Sequence, residues 1–189
     1  MKKILFLFLA LQLFLTGAAF AAVQTNQGEN MNGSKLLIAY FSWGGNTKHI
    51  AEKIQSQTGG DMFRIETLTP YPADYNETAY GIAKKQHEEG TLPPLKDNGD
   101  VSQYDIIFIG TPAWWHEMAP AVKTFITSND FAGKTIVPFI THGGGGEYTI
   151  HEDMTKLSKG ANVLKPLVIF GDGNSHTDDE IKDWLKQIE

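Results

Sequence analysis

Between Lys35 and Glu189, apolar runs of strand length alternate five times with segments of helical pattern. No other feature constrains the fold as strongly. Leu36 to Phe41, Tyr104 to Ile109 and Thr135 to Ile140 are strongly apolar runs bounded by glycine or polar residues, the pattern of strands buried on both faces. Further strands are expected over Asp61–Leu68 and Val163–Phe170. The latter has an irregular start, because Pro166 brings no donor to a sheet ladder. Ile50, Ala51 and Ile54 mark a first helix. Others are expected over Ala73–Glu89, Met118–Ser128, Tyr148–Ser158 and Asp178–Ile188, the last opened by the capping box Thr177-Asp178-Asp179-Glu180. This rhythm implies an α/β fold: a doubly wound five-stranded parallel sheet with helices on both faces and right-handed crossovers. Such sheets bind ligands beyond the carboxyl ends of their strands, where the strand order reverses.

Three loops at that edge carry unusual chemistry. The first, Ser42-Trp43-Gly44-Gly45-Asn46-Thr47, joins a buried strand to a helix start. Free N–H groups and the positive end of the helix dipole together make an anion cradle there. The second, Thr111-Pro112-Ala113-Trp114-Trp115-His116-Glu117-Met118, exposes two adjacent tryptophans. They either cover the core edge and an oligomer contact or form a wall for a flat aromatic ligand. The third, Thr141 to Tyr148, contains Gly143, Gly144, Gly145 and Gly146, which let a backbone approach a ligand closely, and Tyr148 as a second wall. A phosphate cradle with aromatic walls calls for a planar ring carrying one phosphate.

The amino terminus has a different logic. Met1-Lys2-Lys3 is a positive n-region, Ile4 to Leu15 is apolar except for Gln12, and Ala19-Phe20-Ala21 offers small residues at a cleavage site. Residues 1–21 are expected to be a secretory signal, with an uncleaved anchor as the alternative reading. Residues 22–34 are polar and aperiodic, a flexible leader, and 35–189 form one domain. Loss of Lys2 and Lys3 would move the formal charge from −6 to −8. An acidic chain without a basic cluster argues against nucleic acid and anionic membranes as partners, and suits small molecules or a basic protein. The sequence contains no cysteine, so thiol chemistry and disulfides are excluded. The expected location is the periplasm.

Ile38-Ala-Tyr-Phe-Ser-Trp-Gly-Gly-Asn-Thr47, with Tyr104-Asp-Ile-Ile-Phe-Ile-Gly-Thr-Pro-Ala-Trp-Trp115 and Pro138-Phe-Ile-Thr-His-Gly-Gly-Gly-Gly146, resembles the flavodoxins, especially those with a double tryptophan in the second loop. Flavodoxins are the familiar example of FMN held at such a switch point. The resemblance implies strand order 2-1-3-4-5 and FMN as cofactor. It also implies a role in electron transfer or in NAD(P)H:quinone reductase-like reduction of a small acceptor. Ser42, Asn46 and Thr47, with the backbone from Trp43 through Gly44 and Gly45, would hold the phosphate. Thr111, Pro112, Ala113, Trp114 and Trp115 would border the ring, as would His142, Gly143, Gly144, Gly145 and Tyr148. A redox partner protein or a small electron acceptor is implied, with the chain a monomer or homodimer. The rival reading keeps the fold as a ligand-binding or interaction module that has lost tight FMN binding.

Two departures bear on the chemistry. Gly44 stands where the family pattern Ser/Thr-x-Thr-Gly-Asn-Thr places a threonine, which removes one hydroxyl donor; Lys48 offers charge instead. His116 stands in a loop where relatives place glycine, and a side chain resists positive φ. Weak stabilisation of the one-electron-reduced flavin is therefore expected. His116 and His142 are the candidate catalytic residues, His142 as a donor to a substrate carbonyl or to the flavin. His49, His87, His151 and His176 read as surface residues. His142-Gly-Gly-Gly145 lacks the Gly-x-Ser-x-Gly partner of an esterase, Gly171-Asp172-Gly173 is no dinucleotide fingerprint, and no metal motif occurs.

Overall fold

The computed structural model describes residues 33–188, so the expected signal and nearly all of the leader lie outside the described residues. The expected apolar runs form β1 (Leu36–Tyr40), β3 (Ile106–Trp114) and β5 (Thr135–His142), flanked by β2 (Asp61–Arg64), β6 (Asn162–Val163) and β7 (Leu167–Phe170). All of these pair in parallel in the order β2-β1-β3-β5, with β6 and β7 both on the outer edge of β5. The expected order 2-1-3-4-5 is thus realised. Its last strand is cut in two at residues 164–166, where Pro166 interrupts the ladder.

Side-chain alternation divides the core into two layers. Leu36, Ile38, Phe108, Val137, Phe139 and Ile169 face α1 (Asn46–Thr58) and α5 (Thr177–Leu185), meeting Ile50, Ile54, Ile181 and Leu185. Leu37, Ala39, Ile107, Ile109, Ile136 and Ile140 face α3 (Pro120–Thr127) and α4 (Ile150–Leu157), meeting Val122, Phe125, Ile150 and Met154. The sheet is therefore buried on both sides, which its near-continuous apolar strands required.

Gly110 has a specific packing reason. It lies opposite Phe139 on the neighbouring strand, and a Cβ there would come within 2.1 Å of the Phe139 ring.

Four local expectations are corrected. The second strand ends at Arg64 rather than Leu68. The segment read as a plain helix over Ala73–Glu89 begins as a π-helix, Asn76–Ala83, and continues as α2 (Lys84–Glu89). Its start is capped by Asp74, whose carboxylate accepts the Glu77 N–H at 2.8 Å. The second loop is no open loop. β3 runs on to Trp114 and folds back through β4 (Glu117–Met118), pairing Ala113 with Met118 and Trp114 with Glu117. Finally, Thr177 does not cap its helix; its hydroxyl accepts the Asn174 N–H at 2.8 Å, upstream of the first turn.

Candidate functional site

The carboxyl ends of β1, β3 and β5 frame an open cleft of about 390 Å³, lined by all three loops, within the roughly 300–1,000 Å³ typical of small-molecule sites. Its base is the start of α1. Gly45, at φ 101°, turns the chain into the helix, and its N–H is taken by the Ser42 hydroxyl at 3.2 Å. No side chain caps the helix. The N–H groups of Asn46, Thr47 and Lys48 therefore face the cleft end without an intrahelical acceptor, beside the positive pole of the dipole. Gly44 is exposed, and a Cβ there would meet nothing within 4 Å. The donor set and the open space fit a phosphate. Thr47 and Thr141 are buried and share a 2.8 Å hydrogen bond between their hydroxyls, tying the first loop to the third. Lys48 turns to Glu52 at 3.4 Å on the helix surface.

The β3–β4 hairpin supplies the next wall. Pro112, Ala113 and Trp114 line the cleft. Trp114 is held edge-on by Phe41 (ring centroids 5.4 Å apart) and Tyr71 (5.2 Å). Burial pushes the Tyr71 phenol up to about 12, against the pull of its hydrogen bond to Gln86, so it stays neutral. The turn itself is Trp115-His116, at φ 49° and 70°. Two successive left-handed residues make a primed hairpin turn, normally the place of Asn and Gly.

Trp115 and Thr111 do not join the lining. Trp115 swings toward the π-helix, donating its indole N–H to the Ala79 carbonyl at 2.8 Å. Thr111 is fully buried, and its hydroxyl accepts the Ala119 N–H at 3.0 Å and donates to the Pro112 carbonyl. It supports the base of the hairpin.

In the third loop His142 and Gly143 line the cleft. His142 Nδ1 accepts the Gly144 N–H at 3.0 Å, so the neutral ring carries its proton on Nε2 and can donate there. Tyr148 stands apart from the lining. Its ring packs on His116 with centroids 4.5 Å apart and lies over Gly145, where a Cβ would fall on the phenol. The Gly145 backbone is thus approached by Tyr148 rather than left free for a ligand, and the second and third loops brace each other through His116.

Tyr75, Thr141 and Gly171 complete the lining and were not singled out from sequence. The Asp74-x-x-Glu77 capping pattern, placing Tyr75 at a helix entry, was the available signal for the first. His87 keeps about a third of its side chain exposed, and only its Nδ1 is buried, 3.4 Å from Glu117. Burial raises the Glu117 carboxyl, but the hydrogen bond and charge of Lys123, with His87, outweigh this and hold it below the usual range. Among the described residues no group of His, Asp and Glu could hold a metal, and no helix is long and apolar enough to cross a membrane.

Fold and cleft together define a doubly wound α/β protein with a mononucleotide-type site at the switch point between β1 and β3. Residues 35–188 match the family model for flavodoxin, and the chain belongs to the flavodoxin family. A Bacteroides eggerthii protein assigned as a flavoprotein is 29% identical. The match covers 82% of this chain and 98% of that one, with a TM-score of 0.70. A Lactobacillus acidophilus flavoprotein, solved in complex with FMN, is 27% identical over 80% of this chain and 98% of its own, with a TM-score of 0.62. An NAD(P)H dehydrogenase (quinone) from Chromohalobacter salexigens is 29% identical over 99 residues, 49% of this chain. That match spans 45% of the Chromohalobacter protein, under half its length.

Proposed function

We propose that the cleft binds FMN and that the protein is an exported flavoprotein that carries electrons or reduces a small acceptor such as a quinone. The observation that carries this reading is the uncapped start of α1 opening into a cleft walled by Trp114. The free amides of residues 46–48 hold the phosphate, and the Ser42 hydroxyl fixes the turn that presents them. Trp114, fixed by Phe41 and Tyr71, offers a rigid face for the ring. The His142 Nε2–H supplies a donor at the rim, toward the ring or an acceptor carbonyl. FMN supplies the redox chemistry when bound; the chain binds, orients and limits water access.

The likeness to the FMN-containing Lactobacillus protein supports the cofactor. The partial match to a quinone dehydrogenase supports reduction of a small acceptor. An acidic chain suits a basic redox partner, whose contacts would weaken with salt. Export to the periplasm rests on the n-region, apolar core and small-residue site of residues 1–21. The test is titration of residues 22–189 with FMN, followed by steady-state assays with reduced nicotinamides and quinones. Fractionation of cells expressing the full chain tests export.

A further inference from the structure

Beside the cleft lies a second cavity, of about 130 Å³, lined by Trp43, Tyr75, Thr78, Ala79, Ala83, Ala113, Trp114 and Trp115. Three alanines, two on the π-helix and one on β3, leave the space. Trp43, Tyr75, Trp114 and Trp115 supply its aromatic walls; Trp43 and Tyr75 lie with centroids 6.1 Å apart, and Tyr80, outside the lining, braces Tyr75 (5.9 Å) and Trp115 (5.8 Å) edge-on. Three polar groups of its walls are already engaged. The Trp43 indole N–H and the Thr78 hydroxyl both donate to the Pro72 carbonyl at 2.8 Å, and the Trp115 indole N–H donates to Ala79. The cavity therefore offers an occupant aromatic faces and methyl groups, with those three donors already taken. Its size is close to the roughly 150 Å³ of an engineered apolar cavity that takes up benzene. Trp43, Tyr75, Ala113 and Trp114 line both spaces, so a ring seated here lies next to whatever fills the cleft.

We infer that this cavity is a binding site for a single six-membered aromatic or quinonoid ring. Its use as the acceptor's seat rests on the flavin reading above; its occupancy by a ring does not. Reduced FMN held in the cleft would supply the two electrons and two protons that convert a quinone seated there to the hydroquinone.

The test uses fluorobenzene, followed by ¹⁹F line width, with the ring located by nuclear Overhauser contacts to labelled alanine methyls. Saturable binding with and without FMN, with contacts to the Ala79, Ala83 and Ala113 methyls, is the expected result. Ala79→Leu adds three carbons inside the cavity but none in the cleft. It should weaken fluorobenzene at least tenfold and leave FMN affinity within about twofold. No saturable binding to the wild-type protein overturns the site, as does binding without contacts to those methyls or binding unchanged in a folded Ala79→Leu protein. The methyl contacts are read on the wild-type chain, so they decide the matter even if the variant does not fold. If fluorobenzene binds at these methyls while FMN does not bind at all, the ring site stands and the flavin reading falls.

Discussion

Gly44→Thr restores the hydroxyl that the first loop lacks, and its effect can be worked from the cleft. Gly44 is not in the left-handed region, and a Cβ there meets no atom within 4 Å, so threonine enters without a clash. The backbone loses freedom mainly in the unfolded state, which favours the folded chain by a few tenths to about 1 kcal/mol. A hydrogen bond to a charged group contributes roughly 1.5–3 kcal/mol, and about 1.4 kcal/mol is tenfold in affinity. FMN should therefore bind about ten to a hundred times more tightly to Gly44→Thr. The assay is quenching of flavin fluorescence at constant ionic strength, with Gly44→Ala as the control that adds a Cβ without a hydroxyl. Riboflavin, which lacks the phosphate, should show no gain. Equal affinities for the Thr and Ala variants, or an equal gain for riboflavin, would refute the reasoning that residue 44 faces the phosphate.

Gly110→Ala drives a methyl to 2.1 Å from the Phe139 ring and should cost about 3 kcal/mol, the upper part of the range for overpacked cores. Chemical denaturation measures it, and Gly110→Ala with Phe139→Leu should recover much of the loss. His116→Gly removes a side chain held at φ 70° and should stabilise the apo fold by about 1 kcal/mol, the order of the left-handed penalty, less what the Tyr148 ring contact contributed. It should also raise the yield of one-electron-reduced flavin in a redox titration, and an unchanged yield would remove His116 from that role. The Tyr71 phenol is raised from 10.0 to about 12 in the folded protein. Its contribution is thus fully present below pH 10 and is lost as pH rises from 10 through 12, by at most about 2.7 kcal/mol. Tyr71→Phe should flatten that alkaline loss in pH-dependent melting.

The sheet was legible because β1, β3 and β5 are buried on both faces and so carry unbroken apolar runs, and because Pro166 marks the break between β6 and β7. The start of α1 was equally legible, since a glycine-rich turn before a helical pattern has few other uses. What escaped was set by tertiary contacts. Nothing in Trp114-Trp115 says that one ring faces the cleft and the other the π-helix. That division follows from a hairpin turn at Trp115-His116, where neither residue favours positive φ. Thr111 reads like a binding hydroxyl yet is consumed by Ala119 and Pro112. Tyr148 reads like a ligand wall yet packs on His116 and Gly145. The π-helix and Tyr75 lie in a stretch whose polar pattern suggested only an exposed helix, because their partners, Trp43 and Trp115, sit on distant loops.

The central claim is that the edge formed by the α1 start and Trp114 binds FMN. Titrating FMN into purified residues 22–189 while following flavin fluorescence tests it most directly. Saturable quenching at one flavin per chain, weakened by Trp114→Leu, is the predicted result. Flavin fluorescence that does not change at any protein concentration would contradict it.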